Sequence, residues 1–251
     1  MKKPVQKEKG IWLSGINPVR EALRSEGPLP GELVLGRSDS RGRELEELAL
    51  ARGVPARQGS REELNGLAGH THHQGAVLKM AEYPYAELDS LLEKPLPDRD
   101  PLIALDDIQD PQNLGAILRS ACFLGAKGVI LPRDRSAPVS AAVMKIAAGA
   151  VSYVPVARVT NLVRTLKQLK NAGYWVAGLE VECKKTVYET DLTVPLCMVV
   201  GNEQKGIRPL VRSECDLLVR IPASGPLQSL NAATAAAVGL SEIQRQRLAR
   251  R

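Results

Sequence analysis

Near the C-terminal end lie two short apolar runs, Leu196–Val200 and Leu217–Ile221, the second interrupted only by Arg220. Each leads into a glycine-bearing loop, Gly201–Gly206 and Pro222–Leu227. Apolar runs of this length predict buried strands of a parallel sheet. The second loop opens a long alanine-rich helix beginning near Ser229 or Leu230. Upstream, strand and helix patterns alternate from Leu102. Strands are predicted at Leu102–Leu105, Gly128–Leu131, Val154–Val159 and Trp175–Leu179, with helices at Pro111–Leu124, Val139–Ala147 and Leu162–Ala172. Repeated strand–helix units imply an α/β fold whose parallel sheet is covered on both faces. Loops at the carboxyl ends of such strands are where these sheets bind ligands. Glycine there permits close backbone approach. Ordinary strand-to-helix turns have the same pattern.

The N-terminal third reads as a separate small α/β domain over residues 13–81. Asn17 and Pro18 start a helix as N-cap and first helical residue. Glu32–Leu35 is a strand, Arg43–Arg52 a helix with Leu45, Leu48 and Ala49 inward, and Ala76–Met80 a closing strand. Arg20, Arg24, Arg37, Arg41 and Arg43 give this domain a basic side. Residues 1–12 form a flexible basic tail. Residues 82–100, with Pro84, Pro95 and Pro97, form a linker carrying one short helix around Leu88–Leu92. The second domain covers residues 101–251.

Composition narrows the classes. Hydrophobic content of 44% fills a core, but aromatics are only 3%. A base-stacking sheet of the RRM type is therefore disfavoured. The formal net charge of +6 suits an anionic partner such as nucleic acid, and equally plain solubility. Cys122, Cys183, Cys197 and Cys215 are scattered without C-x-x-C spacing, which fits a reducing cytoplasm. No apolar signal core follows the basic tail and no run approaches membrane-spanning length. The expectation is a cytoplasmic protein.

Candidate chemistry is concentrated in the second domain. In L-D-D-I-Q-D-P-Q-N-L-G-A-I-L-R-S-A, Asp110 and Pro111 form a helix start, and Leu114, Ile117, Leu118, Ala121 and Leu124 form a buried stripe. Asn113 lies in the first turn and Arg119 at the flank of the stripe. Asp106, Asp107 and Asp110 could hold magnesium, though capping and turn roles explain them equally well. His70, His72 and His73 lack a Cys or spaced acid to complete a metal site and read as a polar loop. There is no G-x-G-x-x-G. Gly201–Gly206 has P-loop spacing, but Ile207 stands where the lysine belongs.

Three segments, N-L-G-A-I-L-R-S-A, G-N-E-Q-K-G and I-P-A-S-G-P-L-Q-S-L-N, resemble the three motifs of the SpoU branch of the SPOUT superfamily. The similarity extends through G-I-N-P-V-R-E-A-L, H-Q-G and D-R-S-A-P-V-S-A-A-V-M-K-I-A-A-G-A, nearly the whole chain. These proteins are RNA ribose 2′-O-methyltransferases. The resemblance implies a C-terminal domain with a trefoil knot and an N-terminal RNA-binding domain similar to a ribosomal protein. It implies S-adenosylmethionine as cofactor, with backbone contacts from Gly201, Ile221 and Leu230, and no metal. Asn113, Arg119, Glu203, Ser229 and Asn231 match the family's active-site positions. The implied partners are 23S rRNA, methylated at a guanosine, or a large-subunit precursor, and a second copy of the chain in a homodimer. Neither DNA nor a membrane is implied. A tRNA ribose methyltransferase and a non-catalytic ribosome-assembly protein are the alternatives. Ala233 departs from the family's pattern, where a second serine often follows, so no hydroxyl contact carries over there.

Overall fold

The computed structural model describes residues 11–24, 31–80, 83–92 and 101–250. The basic tail through Gly10 and the proline-rich stretch 93–100 lie outside the described residues. The chain forms two compact units. One runs through Pro84 and also takes in Val139–Ser152. The other comprises Tyr85–Pro138 and Tyr153–Arg251.

The first unit is built from β1 (Ile11–Ser14), α1 (Ile16–Arg24), β2 (Glu32–Leu35), α2 (Ser40–Ala51), β3 (Ala56–Gln58), α3 (Arg61–Ala68) and β4 (Ala76–Met80). Its sheet has the order β1-β4-β2-β3, antiparallel except for β2 with β3. Strand β1 begins at Ile11, two residues inside the span expected to be tail. Helix α1 starts at Ile16, two residues before the expected first helical residue Pro18. Val19 donates to the Gly15 carbonyl, Gln74 Oε1 accepts from the Ile16 amide, and Asn17 instead accepts from Arg20. Asn17 is therefore not the N-cap. Ser60 caps α3 by accepting from Glu63, and Gly69, at φ 71°, ends it. Left-handed backbone at that point costs glycine little.

The expected basic side is partly neutralised within the unit. Arg20 and Arg24 share Glu44, Arg37 pairs with Asp39, and Arg41 and Arg43 are exposed. His70 Nδ1 accepts from the His72 amide and its Nε2 meets Ser14 Oγ. His73 Nδ1 accepts from Gly75 and its Nε2 meets Asn65. Burial holds both rings below the usual histidine range. They fix the loop, and no metal-holding cluster exists among the described residues.

The second unit carries α4 (Leu88–Leu92), β5 (Leu102–Leu105), α5 (Pro111–Phe123), β6 (Gly128–Pro132), β7 (Val156–Val159), α7 (Leu162–Asn171), β8 (Trp175–Leu179), β9 (Leu196–Val200), α8 (Pro209–Arg212), β10 (Leu217–Val219) and α9 (Ala232–Leu248). Helix α6 (Ala141–Ala147), between β6 and β7 in sequence, packs on β1 within the first unit. The six strands are all parallel, in the order β10-β8-β9-β5-β6-β7. Strands β5, β6 and β9 are buried at every residue, as their apolar runs require.

Boundary differences have local causes. Pro155 has no amide hydrogen for the ladder, so β7 starts at Val156 rather than Val154. Ser140 caps α6, moving its start from Val139 to Ala141. Strand β10 stops at Val219 because its partner β8 ends at Leu179. Arg220 then donates to the Lys185 carbonyl instead. Helix α9 begins at Ala232 because Asn231 is its cap.

Cys197 and Cys215 lie against the core, and burial pushes the Cys215 thiol up to about 12 and that of Cys197 well above its usual value. Among the described residues, no helix is long and apolar enough to cross a membrane. Helix α4 also belongs to this core: Leu91 is 2% exposed among Leu102, Ile130, Ala157 and Leu166. Leu91→Ala should therefore destabilise the protein by about 2–4 kcal/mol, the cost of a leucine-sized cavity. Urea denaturation checks this, and a loss under about 1 kcal/mol would mean that α4 is only loosely attached.

Candidate active site

The carboxyl ends of β8, β9 and β10 open onto one cavity of about 830 Å³. Its walls come from Leu179–Glu182, Val200–Gly206 and Ile221–Leu230, with Ala232 and Ala235 from α9. Two of these segments are the glycine loops expected to bind ligand. They are not adjacent, since β8 lies between β9 and β10. The strand between them adds Glu180 and Glu182 to the wall, residues the sequence reading missed. Their signal was their position immediately after a parallel strand. The Glu180 side chain is 16% exposed, with Arg212 at 3.5 Å.

Gly201 has no room for a side chain. A Cβ there would fall on the Gly206 carbonyl and the Ile207 amide. The loop closes on itself through Asn202 N–H to Gly206 O at 3.0 Å and Gly206 N–H to Asn202 O at 2.8 Å. Asn202 Oδ1 accepts from Gln204 and Lys205 inside the turn. This hairpin presents Glu203 at its exposed tip.

Asn231 joins the three motif segments. Its Oδ1 caps α9, accepting from Ala233 at 2.9 Å and Thr234 at 3.4 Å. Its Nδ2 donates to Asn113 Oδ1 at 2.8 Å and to Glu203 Oε2 at 3.1 Å. Asn113 is held in the first turn of α5 by the Asp110 cap, which accepts from Gln112. Thus Asn113, Glu203 and Asn231 come together, and Glu203, Ser229, Leu230, Gly201 and Ile221 line the cavity.

Arg119 does not join this set. It lies six residues beyond Asn113, roughly 9 Å along the helix axis at about 1.5 Å per residue. It lines a second cleft of about 540 Å³ with Ser120, Phe123, Tyr188, Thr234 and Glu242. Among the described residues, no hydrogen bond ties it to Asn113, Glu203 or Asn231. Phe123 is 85% exposed and Tyr188 54% exposed beside it.

The aspartates are explained by structure rather than by a metal. Asp106 is fully buried and paired with Arg208, Asp107 makes a left-handed turn at φ 64°, and Asp110 is the cap.

The model of the SpoU rRNA Methylase family matches residues 100–241, taking in all three segments and the cavity they form. The chain belongs to the SpoU rRNA methylase family. As a member it is an RNA methyltransferase. A second model, for RNA 2′-O ribose methyltransferase substrate binding, matches residues 12–86. The chain is 46% identical over 237 residues to an uncharacterized tRNA/rRNA methyltransferase of Mycolicibacterium gilvum (strain PYR-GCK), covering 93% of this chain and 76% of that protein. It is 38% identical over 242 residues to the 23S rRNA (guanosine-2′-O-)-methyltransferase RlmB of Xanthomonas axonopodis pv. citri (strain 306), covering 94% of this chain and 97% of that one. Among solved structures, it is similar to the SpoU methyltransferase AviRb of Streptomyces viridochromogenes in complex with AdoMet. The TM-score is 0.80 at 26% identity, covering 96% of this chain and 91% of that chain.

The two roles of Asn231 are separable. Asn231→Ala should lower stability by about 1 kcal/mol through loss of the cap, and abolish most activity. Asn231→Asp keeps an acceptor for the α9 amides but sets a carboxylate against Glu203 and removes the donor. It should keep more of the cap's stability than Asn231→Ala at neutral pH and lose activity as fully. Urea denaturation paired with a methylation assay checks both. Equal stability losses in the two variants would show that the cap contributes nothing.

Proposed function

We propose that the protein methylates the ribose 2′-hydroxyl of a guanosine in 23S rRNA, with S-adenosylmethionine as methyl donor. The observation that carries this reading is the convergence of Asn113, Glu203 and Asn231 beside the cavity. Its volume falls within the range of about 300–1,000 Å³ common for small-ligand sites. The backbone of Gly201, Ile221 and Leu230 fits such a ligand, because glycine and loop backbone leave its polar edges close to the walls. The 38% identity to a 23S rRNA guanosine methyltransferase over nearly the full chain supports the substrate.

When bound, S-adenosylmethionine supplies an electrophilic methyl group. The protein's part is to place the ribose oxygen in line with it, and such positioning can supply much of a rate enhancement. Asn231 and Asn113 orient the acceptor side, with Ser229 adding a hydroxyl on the cavity wall. Glu203 is the carboxylate of the set and takes the proton that the hydroxyl must lose. Arg119 clamps a neighbouring phosphate, since guanidinium groups keep their proton in proteins and match phosphate with a planar fork.

The distance of Arg119 from the other residues fits a homodimer. The exposed Phe123 and Tyr188 are a natural contact surface, and a second copy seated there would combine Arg119 of one subunit with RNA bound at the other's cavity. The trefoil knot belongs to the same reading. The first unit, similar over residues 12–86 to RNA substrate-binding domains, grips the RNA.

Calorimetry with S-adenosylmethionine in excess EDTA should show saturable binding, and absence of binding would remove the methyltransferase reading. Mapping of ribose methylation in cells lacking the gene should then lose one 23S rRNA guanosine. Loss from tRNA instead would transfer the reading to that substrate.

Arg119→Ala should leave cofactor affinity nearly intact and reduce turnover by orders of magnitude. Arg119→Lys should stay impaired from about pH 6 to about pH 10, a range that reaches the usual lysine value. Recovery of single-turnover rate at high pH would instead make deprotonation the residue's task.

Arg41→Gln combined with Arg43→Gln removes two exposed charges from the first unit. It should weaken RNA binding and flatten the salt slope by about two at most. An unchanged slope would place the RNA elsewhere.

A further inference from the structure

The loop that carries Glu203 is tied to the end of β5 by contacts outside the three motif roles described above. Asp106 is fully buried. Its Oδ2 accepts from the Arg208 amide at 2.8 Å, and its Oδ1 accepts from Arg208 Nε at 2.7 Å, with Arg208 Nη2 at 2.6 Å. The next residue, Asp107, has a left-handed backbone at φ 64°, and its carbonyl accepts from Asn202 Nδ2 at 3.1 Å. A non-glycine residue in that region is strained and persists where its surroundings hold it. Asn202 and Arg208 flank the hairpin that presents Glu203, so both ends of the hairpin are fastened to the same two residues.

A buried ion pair is a poor source of net stability, because desolvation offsets most of its attraction. A pair of well-packed apolar residues would hold two strands as well. What the carboxylate adds is direction: both of its oxygens are engaged by one arginine's backbone and fork. We propose that Asp106, Arg208 and Asn202 form a positioning latch for methyl transfer, which sets Glu203 against Asn231 and holds the cavity loop Gly201–Gly206 in its closed hairpin. The proposal rests on the methyltransferase reading for its chemistry. The latch residues touch neither substrate nor cofactor in it, and they act through Glu203.

The test uses the full-length protein. Arg208→Lys keeps the charge and the backbone donor but loses the fork. Asn202→Asp keeps an oxygen acceptor for the Gln204 and Lys205 amides, loses the donor to Asp107 and leaves the ion pair. In both variants, hydrogen exchange should speed across Asn202–Gly206 by about tenfold, the size expected from loss of one hydrogen bond to a charged or strained partner. Exchange in β5 and β9 should match the unaltered protein. Single-turnover methylation should fall by a similar factor with KM for RNA unchanged. Arg208→Lys added to Glu203→Ala should cost no more than Glu203→Ala alone, because both disable the same group. Unchanged loop exchange, exchange that speeds equally in the strands, or losses that multiply in the double variant would each overturn the latch. If the unaltered protein transfers no methyl group to RNA, the methyltransferase reading fails separately, and the exchange comparison still decides whether the latch exists.

Discussion

The carboxamide of Asn231 has two donor hydrogens and two acceptor lone pairs. All four are used: two α9 amides on the oxygen, Asn113 and Glu203 on the nitrogen. No other side chain offers two donors and two acceptors at that reach. The position of one residue therefore fixes the start of α9, the first turn of α5 and the tip of the loop after β9. These three come from segments 118 and 28 residues away along the chain. Because Asn231 is exposed, water competes for its nitrogen, and each bond there contributes modestly. The cap is the firmer half, since Ala233 is 8% exposed and its amide sits where solvent has little access.

Most of the second unit was legible because its signals are local. An unbroken apolar run such as Leu196–Val200 reads as a buried strand whatever surrounds it, and Asp110-Pro111 reads as a helix start. Strand β3, which was not predicted, carries no such signal. Every residue of β3 is exposed, so Ala56–Gln58 has neither an apolar run nor alternation. Helix α3 has only Leu64 buried, which leaves no stripe to detect. Helix ends were displaced wherever a distant group supplied the cap. Gln74, 58 residues away, takes the place that Asn17 was expected to fill.

The candidate site divides along the same line. Motif similarity identified Asn113, Glu203 and Asn231 individually, but their hydrogen bonding is a property of the sheet order. The order β10-β8-β9-β5 places β8 between the two glycine loops and brings Glu180 and Glu182 into the cavity wall. Spacing within a sequence carries no information about which strand lies between two others. The same limit hid the Asp106–Arg208 pair, whose members are 102 residues apart. Three aspartates in one loop suggested a cation. Their surroundings turn them instead into an ion pair, a strained turn and a helix cap.

Ala233 shows how the fold accommodates a departure from the family's pattern. The position lacks the hydroxyl that the family resemblance implied, and its side chain is nearly buried in the first turn of α9. What the structure draws from it is the backbone amide, which any residue but proline supplies. A methyl group fits that buried turn without a polar atom to satisfy, and alanine has the highest helix propensity. The alanine therefore leaves the Asn231 cap intact. The hydrogen bonds that bring the three motifs together pass through the side chain of Asn231, to Asn113 and Glu203, and the main chain of residue 233 holds that side chain in place through the cap.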